Sequence, residues 1–229
     1  NSGSGSMGDL EHSHSSLYYL PEAPPQYLMP TIVDVSAHEF FHIVTPLSIH
    51  SEEIHYFDFN KPKMSRHLWM YEGCIEYFAH HVQINQDLSD IETFLSTIGE
   101  KMKNADKRFK TDLPFTELSL KCLGEEEDQY GNVYEKGALI GLALDLKLNQ
   151  LSDGKYHLMN LMQDLSKTYG TEKPFKDEEL FDKITELTYP EIREFFTKYV
   201  EGSEILPLEE LFETVGVNYK RKFEKREVS

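Results

Sequence analysis

Fold and chemistry both turn on Val33-Asp34-Val35-Ser36-Ala37-His38-Glu39-Phe40-Phe41-His42-Ile43-Val44. This stretch contains His-Glu-x-x-His, with His38 and His42 four residues apart. On an α-helix that spacing puts both imidazoles on one face, one turn apart, where a single tetrahedral metal takes both. Glu39 sits beside the first histidine, where its carboxylate reaches a water on the metal without ligating the metal itself. Apolar Ile32, Val33, Val35, Phe40, Phe41 and Ile43 surround the pair, and Pro46 follows as a stop. The stretch therefore reads as a helix starting near Thr31, directly after Pro30. The competing reading is a buried helix whose two histidines coincide by chance, in a chain with 10 of them.

Bulk properties narrow the function classes. A chain of 229 residues suits one large domain or two small ones, and 39% hydrophobic residues suffice for a real core. A net charge of −17 argues against nucleic acid and anionic membrane surfaces, both of which would repel the chain. No stretch is long and apolar enough to span a bilayer. Cys74 and Cys122 are too few for a disulfide framework, and Cys74 reads as a packed thiol. Asn1-Ser2-Gly3-Ser4-Gly5-Ser6 reads as a flexible lead-in, and no targeting signal gives the chain an address.

Outward from the motif, the pattern is mainly α with a small β fringe. Leu17-Tyr18-Tyr19-Leu20 reads as a short strand, and four prolines between Pro21 and Pro30 make an extended connector. Residues 46–64 read as irregular. Helical spacing predicts a helix over 65–84, another over 89–104 with Ser89 as N-cap, and a loop-like acidic segment over 108–129. The most apolar helix is expected over 133–151, where Gly137 and Gly141 permit close packing. Amphipathic helices are expected at 155–169, 176–187, 189–201 and 207–214, the last two beginning around Pro190 and Pro207. Domain bounds follow as edge strand and connector at 1–30, helical domain at 31–217, and charged tail or linker at 218–229.

Two helical histidines need a third ligand. Gly and His at three and six residues past the second histidine would complete one known spacing, but Thr45 and Ser48 stand there. Glu at nineteen residues past it would complete another, but Lys61 stands there. His50 and His55 remain open, although nothing fixes them on a rigid element. Glu72 is favoured. It is central in a helix, flanked by aromatic residues, and followed by Gly73, which allows close approach; buried there without a cation, its charge would be costly. The alternative places Glu72 on a polar helix face. Glu76, one turn on, either accepts a hydrogen bond from the non-ligating nitrogen of a zinc-bound histidine or faces solvent.

His38-Glu39-Phe40-Phe41-His42, Leu68-Trp69-Met70-Tyr71-Glu72-Gly73 and Tyr134-Glu135-Lys136-Gly137-Ala138-Leu139 together resemble, in order and spacing, the glycyl aminopeptidase family of zinc metallopeptidases. Gly8-Asp9-Leu10-Glu11-His12 resembles that family's edge-strand motif, and weaker similarity runs to about Val217. The resemblance implies a thermolysin-like gluzincin catalytic domain, related to aminopeptidase N and leukotriene A4 hydrolase. It implies Zn2+ on His38, His42 and Glu72, Glu39 as general base, and Tyr134 as donor to the tetrahedral oxyanion. It implies that Glu11 holds the substrate's free α-amine while the Leu10–His12 backbone lies beside the bound peptide. An upstream β domain, a downstream PDZ domain and a bacterial periplasmic or envelope location are also implied by the resemblance. The chain departs from the pattern at Ile43-Val44-Thr45-Pro46, at Asp9 and at Tyr71, departures that bear on the substrate pocket more than on the metal site.

The reading is thus a zinc aminopeptidase acting on peptide or protein substrates. The alternatives are a zinc endopeptidase with the same ligands, and a non-catalytic peptide-binding scaffold of the same fold.

Overall fold

The apolar run that begins at Val133 becomes the spine of the molecule. A computed structural model describes residues 8–12, 15–58 and 60–220, with backbone alone for 8–12. The spine is the helix Asn132–Leu151, within which Ala138, Ile140, Ala143, Leu144 and Leu148 are wholly buried. A helix hydrophobic on nearly every side must be covered on nearly every side, and neighbouring helices cover this one.

In chain order, strands β1 (Gly8–His12) and β2 (Ser15–Tyr19) form an antiparallel hairpin with Leu10 opposite Leu17. Then come α1 (Pro25–Phe41), a single turn α2 (Glu52–His55), a π-helical segment (Trp69–Cys74), and α3 (Ile75–Asn85), which continues it. Next are α4 (Ile91–Arg108), α5 (Phe115–Lys121) and the spine, α6. The chain ends in α7 (Leu158–Thr168), α8 (Leu180–Leu187), α9 (Glu191–Tyr199) and α10 (Leu208–Glu213). The hairpin and α3 pack on α1, while α6 packs on the π segment, α3 and α4. This is the mainly α architecture with a small β fringe that the pattern predicts.

Several boundaries differ from expectation. The motif helix starts at Pro25, six residues before Thr31, and runs through Pro30. Pro25 at the first helical position loses no hydrogen bond, and the Tyr27 and Leu28 N–H groups close the first turn on the Pro24 carbonyl. Pro30 lacks the N–H that would bond Gln26, but this part of the helix is solvent-exposed, where water serves the freed carbonyl. The helix expected from Ser89 begins at Ile91, because Asp90, not Ser89, accepts the Thr93 N–H at 2.8 Å. Within the segment expected to be loop-like, α5 forms after Pro114, burying Phe115 and Leu118 against the core. Pro190 and Pro207 stand at N-caps rather than inside first turns. The strand expected near Leu17 pairs with the edge strand that the resemblance implies at Gly8–His12.

The π-helical segment was not foreseen. It forms where Gly73 meets Gly137: a Cβ built on Gly73 would lie 2.5 Å from the Gly137 carbonyl carbon, and one on Gly137 would lie 2.8 Å from Gly73 Cα. Backbone therefore touches backbone, and neither glycine admits a side chain. The start of the segment is pinned from far along the chain by Asp177. Its carboxylate accepts from Ser65 Oγ at 2.6 Å and the Arg66 N–H at 2.7 Å, and its carbonyl accepts from His67 Nε2 at 2.8 Å. Trp69 Nε1 donates to His67 Nδ1 at 3.0 Å, so both ring nitrogens of this fully buried, neutral imidazole are used. Tyr71, one of the departures noted above, is buried on the far side, where its hydroxyl accepts the Ser51 N–H at 2.9 Å.

Gly137→Ala is expected to destabilise the fold by about 1–3 kcal/mol, the usual penalty of overpacking a close contact. Gly99→Ala, on an exposed face of α4 with nothing within 4 Å, is expected to stabilise it by about 0.5–1 kcal/mol. Urea denaturation of the two variants checks both signs. Burial depresses His67 from 6.5 to about 4, although its bond to the Asp177 carbonyl opposes that shift. Below pH 6.5 the unfolded chain therefore binds the proton first. Stability present above that pH falls as pH drops toward about 4, by a total on the order of 3 kcal/mol from this group. In urea titrations across that range, His67→Gln is expected to lower stability but flatten the decline.

Candidate metal centre

His38 and His42 occupy the last turn of α1 and the residue that caps it, and both are buried. Their rings meet edge to face with centroids 4.8 Å apart. Each is oriented by its Nδ1. His42 Nδ1 lies 3.1 Å from the Thr45 carbonyl, which only accepts, so that nitrogen carries the proton and Nε2 presents a lone pair. His38 Nδ1 donates to Glu76 Oε2 at 2.8 Å. The π-helical turn brings Glu72 Oε2 to 3.2 Å from His38 Nε2 and 3.7 Å from His42 Nε2. One ligand atom from each of the three residues lies within 4.8 Å of the others.

This arrangement tests the fit of a metal. With both Nδ1 atoms donating, two nitrogen lone pairs and a carboxylate oxygen converge on one point. Three acceptors facing each other repel unless a cation lies between them. In the metal-free chain a proton serves: burial works against it, but the hydrogen bonds to Glu72 and Glu76 carry His38 up to about 10. A divalent ion there would replace that proton with a better-matched charge. Two imidazoles and one carboxylate, with room for a further ligand in the cleft, are the donor set of an open catalytic zinc site.

Glu76 is half-buried beside His38 and is not one of the three converging groups. It accepts from His38, from His80 Nε2 at 3.1 Å and from Lys101 Nζ at 2.6 Å. Burial alone would raise its pKa, yet these donors hold its carboxyl well below the usual range. It is thereby a fixed acceptor for the His38 proton. His80 and Lys101 escaped the sequence reading. His80 had a signal, standing four residues after Glu76 on the same helix face, whereas Lys101 arrives from α4 with none.

Glu39 is buried at the base of the same cleft. Tyr134, in the first turn of α6, lines it too, with its ring 5.8 Å from that of His38. A second phenol missed in the sequence, Tyr130, places its hydroxyl 3.2 Å from that of Tyr134. The cleft has a volume of about 620 Å³, within the range of small-molecule and peptide-end sites. His50 and His55 are not part of it. They pair with each other, Nε2 to Nδ1 at 3.0 Å, and His50 Nδ1 donates to the Pro46 carbonyl. The side chains of Leu10, Glu11 and His12 lie outside the described residues.

With this geometry in view, comparison with known proteins is informative. Residues 31–140 match the family described as M61 glycyl aminopeptidase, a segment that holds His38, Glu39, His42, Glu72, Glu76 and Tyr134. Over those residues the chain is similar to the M61 glycyl aminopeptidase family. A solved structure agrees. An aminopeptidase N family protein from Idiomarina loihiensis superposes with a TM-score of 0.80 at 25% identity, over 93% of this chain. The chain spans 39% of that protein's length. No curated protein sequence matches. The M61 match begins after the hairpin, so it covers the candidate metal-binding group and not Glu11.

Removing the acceptor for the His38 proton frees that ring to turn. Glu76→Ala is expected to weaken metal affinity by about 10–100-fold, the usual effect of losing such a partner. Competition with a zinc-chelating dye reads this directly, and Glu76→Gln, which keeps an acceptor oxygen, is expected to lose less.

Proposed function

We propose that this chain is the catalytic domain of a zinc-dependent aminopeptidase. The reading is carried by one observation: Glu39 and Tyr134 line the same cleft as the converging His38, His42 and Glu72. Zinc held by those three residues supplies Lewis acidity, activating water and polarising the scissile carbonyl. Glu39, beside the first ligand, takes the proton of the attacking water and delivers it to the departing amine. The Tyr134 hydroxyl donates to the oxyanion as charge develops there, and its contact with Tyr130 helps to aim it. Glu76 and the Thr45 carbonyl keep the two imidazoles in the tautomer that offers Nε2. Glu11, on β1, is assigned by family resemblance to the substrate's α-ammonium group, which selects free amino termini. Peptides and proteins are the proposed substrates, and the acidic cleft suits their positively charged ends.

Zinc content and turnover on alanine 7-amido-4-methylcoumarin test this reading together. Glu39→Gln is expected to keep about one zinc per chain and lose about 10²–10⁴-fold in kcat. Tyr134→Phe is expected to lose about 10²–10³-fold with zinc unchanged. Acetylating the substrate's amino terminus abolishes cleavage by an aminopeptidase. Undiminished cleavage of the blocked peptide instead identifies an endopeptidase.

A further inference from the structure

A second cavity lies apart from the metal cleft and shares none of its lining residues. It has a volume of about 500 Å³ and opens between α4, the beginning of α6 and residues 203–210. Met102, Leu139, Ile205, Leu206 and Tyr219 give it an apolar wall. Ile205 is 68% exposed, an unusual position for so apolar a side chain.

Two polar groups in this wall are poorly served by the protein. Lys136 is half-buried, and among the described residues its ammonium donates only to the Leu113 carbonyl, at a long 3.3 Å. Among the described residues no carboxylate pairs with it, although the chain carries 40 acidic residues and most buried lysines find one. Burial accordingly lowers its pKa, with no carboxylate opposing the shift. Asn132, one turn earlier on the same helix, is 3% exposed, and its Oδ1 has no hydrogen-bond partner among the described residues. A half-buried cation without a counter-ion, set in an apolar wall, is complementary to an anion with an apolar body. The mouth limits the anion's charge. Glu204, Glu209 and Glu210 are part of the cavity lining and disfavour phosphates and dicarboxylates.

We propose that this cavity binds a monocarboxylate with an apolar tail, its carboxylate paired with Lys136 and its tail against Met102, Leu139 and Ile205. The site is independent of the peptidase reading, since none of its residues belongs to the metal cleft. The test is isothermal titration of the full chain with sodium octanoate and with octan-1-ol, alongside methyl NMR of labelled Met, Ile and Val. Octanoate is expected to bind saturably at millimolar concentration or below, at least about tenfold more tightly than octanol, as a charge-assisted hydrogen bond predicts. It should shift the methyl signals of Met102 and Ile205. Lys136→Met is expected to remove the preference for octanoate and leave octanol binding unchanged, while Lys136→Arg retains the preference. The proposal is overturned by the absence of saturable octanoate binding or by equal affinity for the two probes in the wild-type chain. Shifts confined to Val35, which lines the metal cleft, would overturn it too, because they place the carboxylate on the metal instead. The wild-type comparison of the two probes holds even if Lys136→Met fails to fold.

Discussion

The contact between Gly73 and Gly137 sets the geometry on which the site depends. In the proposed mechanism a metal ligand on one helix and an oxyanion donor on another are useful only if both reach the same point. Here the two backbones approach until a single added carbon would overlap the neighbouring chain. Glu72 immediately precedes one glycine, and Tyr134 stands three residues before the other. The carboxylate and the phenol are therefore positioned by rigid main chain and not by flexible side-chain reach. The same crowding explains the π-helical turn at Trp69–Cys74. An extra residue in one turn re-aims Glu72 toward α1, whereas a regular helix that presented Gly73 to Gly137 would direct the carboxylate elsewhere. The Asp177 clamp on Ser65, Arg66 and His67 fixes the other end of that turn, so the distortion is held from both sides.

Around this frame the electrostatics are arranged in two layers. The inner layer gathers three acceptors and so demands a cation. The outer layer fixes the groups of the inner one. Glu76 accepts the hydrogen bond of His38 Nδ1, and its own charge is compensated by Lys101 and His80. Glu135 lies 4.0 Å from Lys101 and accepts from Asn104, extending the network along α4. A buried carboxylate bonded to three donors is rigid as well as charged. The arrangement thus keeps His38 available to a metal, whereas a solvated glutamate would let the ring rotate.

Much of this was legible in the sequence because it is local. The four-residue interval of His38 and His42 defines a helix face, and the Glu72–Glu76 interval defines another. The apolar run after Val133 names the central helix without reference to anything else. What escaped is non-local or depends on a competition between rules. Lys101 reaches Glu76 across 25 residues, and no pattern in α4 marks it. Asp177 clamps residues more than a hundred positions away. Pro30 reads as a helix boundary, but solvent exposure makes its missing hydrogen bond tolerable, and the helix continues through it. Tyr71, one of the departures from the family pattern, is buried with its hydroxyl on the Ser51 N–H, a contact that no local pattern announces. The paired glycines could be read as close packing, yet the sequence does not say which backbone they meet.

The spine helix also explains why the two cavities can coexist without mixing. Residues 134 and 135 face the metal cleft, and residues 136 and 139 face the second cavity. Gly137 lies between them, locked against Gly73. A helix divides its side chains between opposite faces every few residues, so one turn serves both chambers while its backbone seals one from the other. A ligand paired with Lys136 would thus press on the same turn that carries Tyr134. Any influence on the metal cleft would have to pass through that turn, because no side chain lines both cavities. Such influence requires the turn to have two arrangements that the ligand distinguishes. The Gly73–Gly137 contact argues against a second arrangement: withdrawal of α6 would open a void along the backbone, and closer approach is sterically closed. The two chambers are therefore neighbours in structure but are expected to be energetically independent.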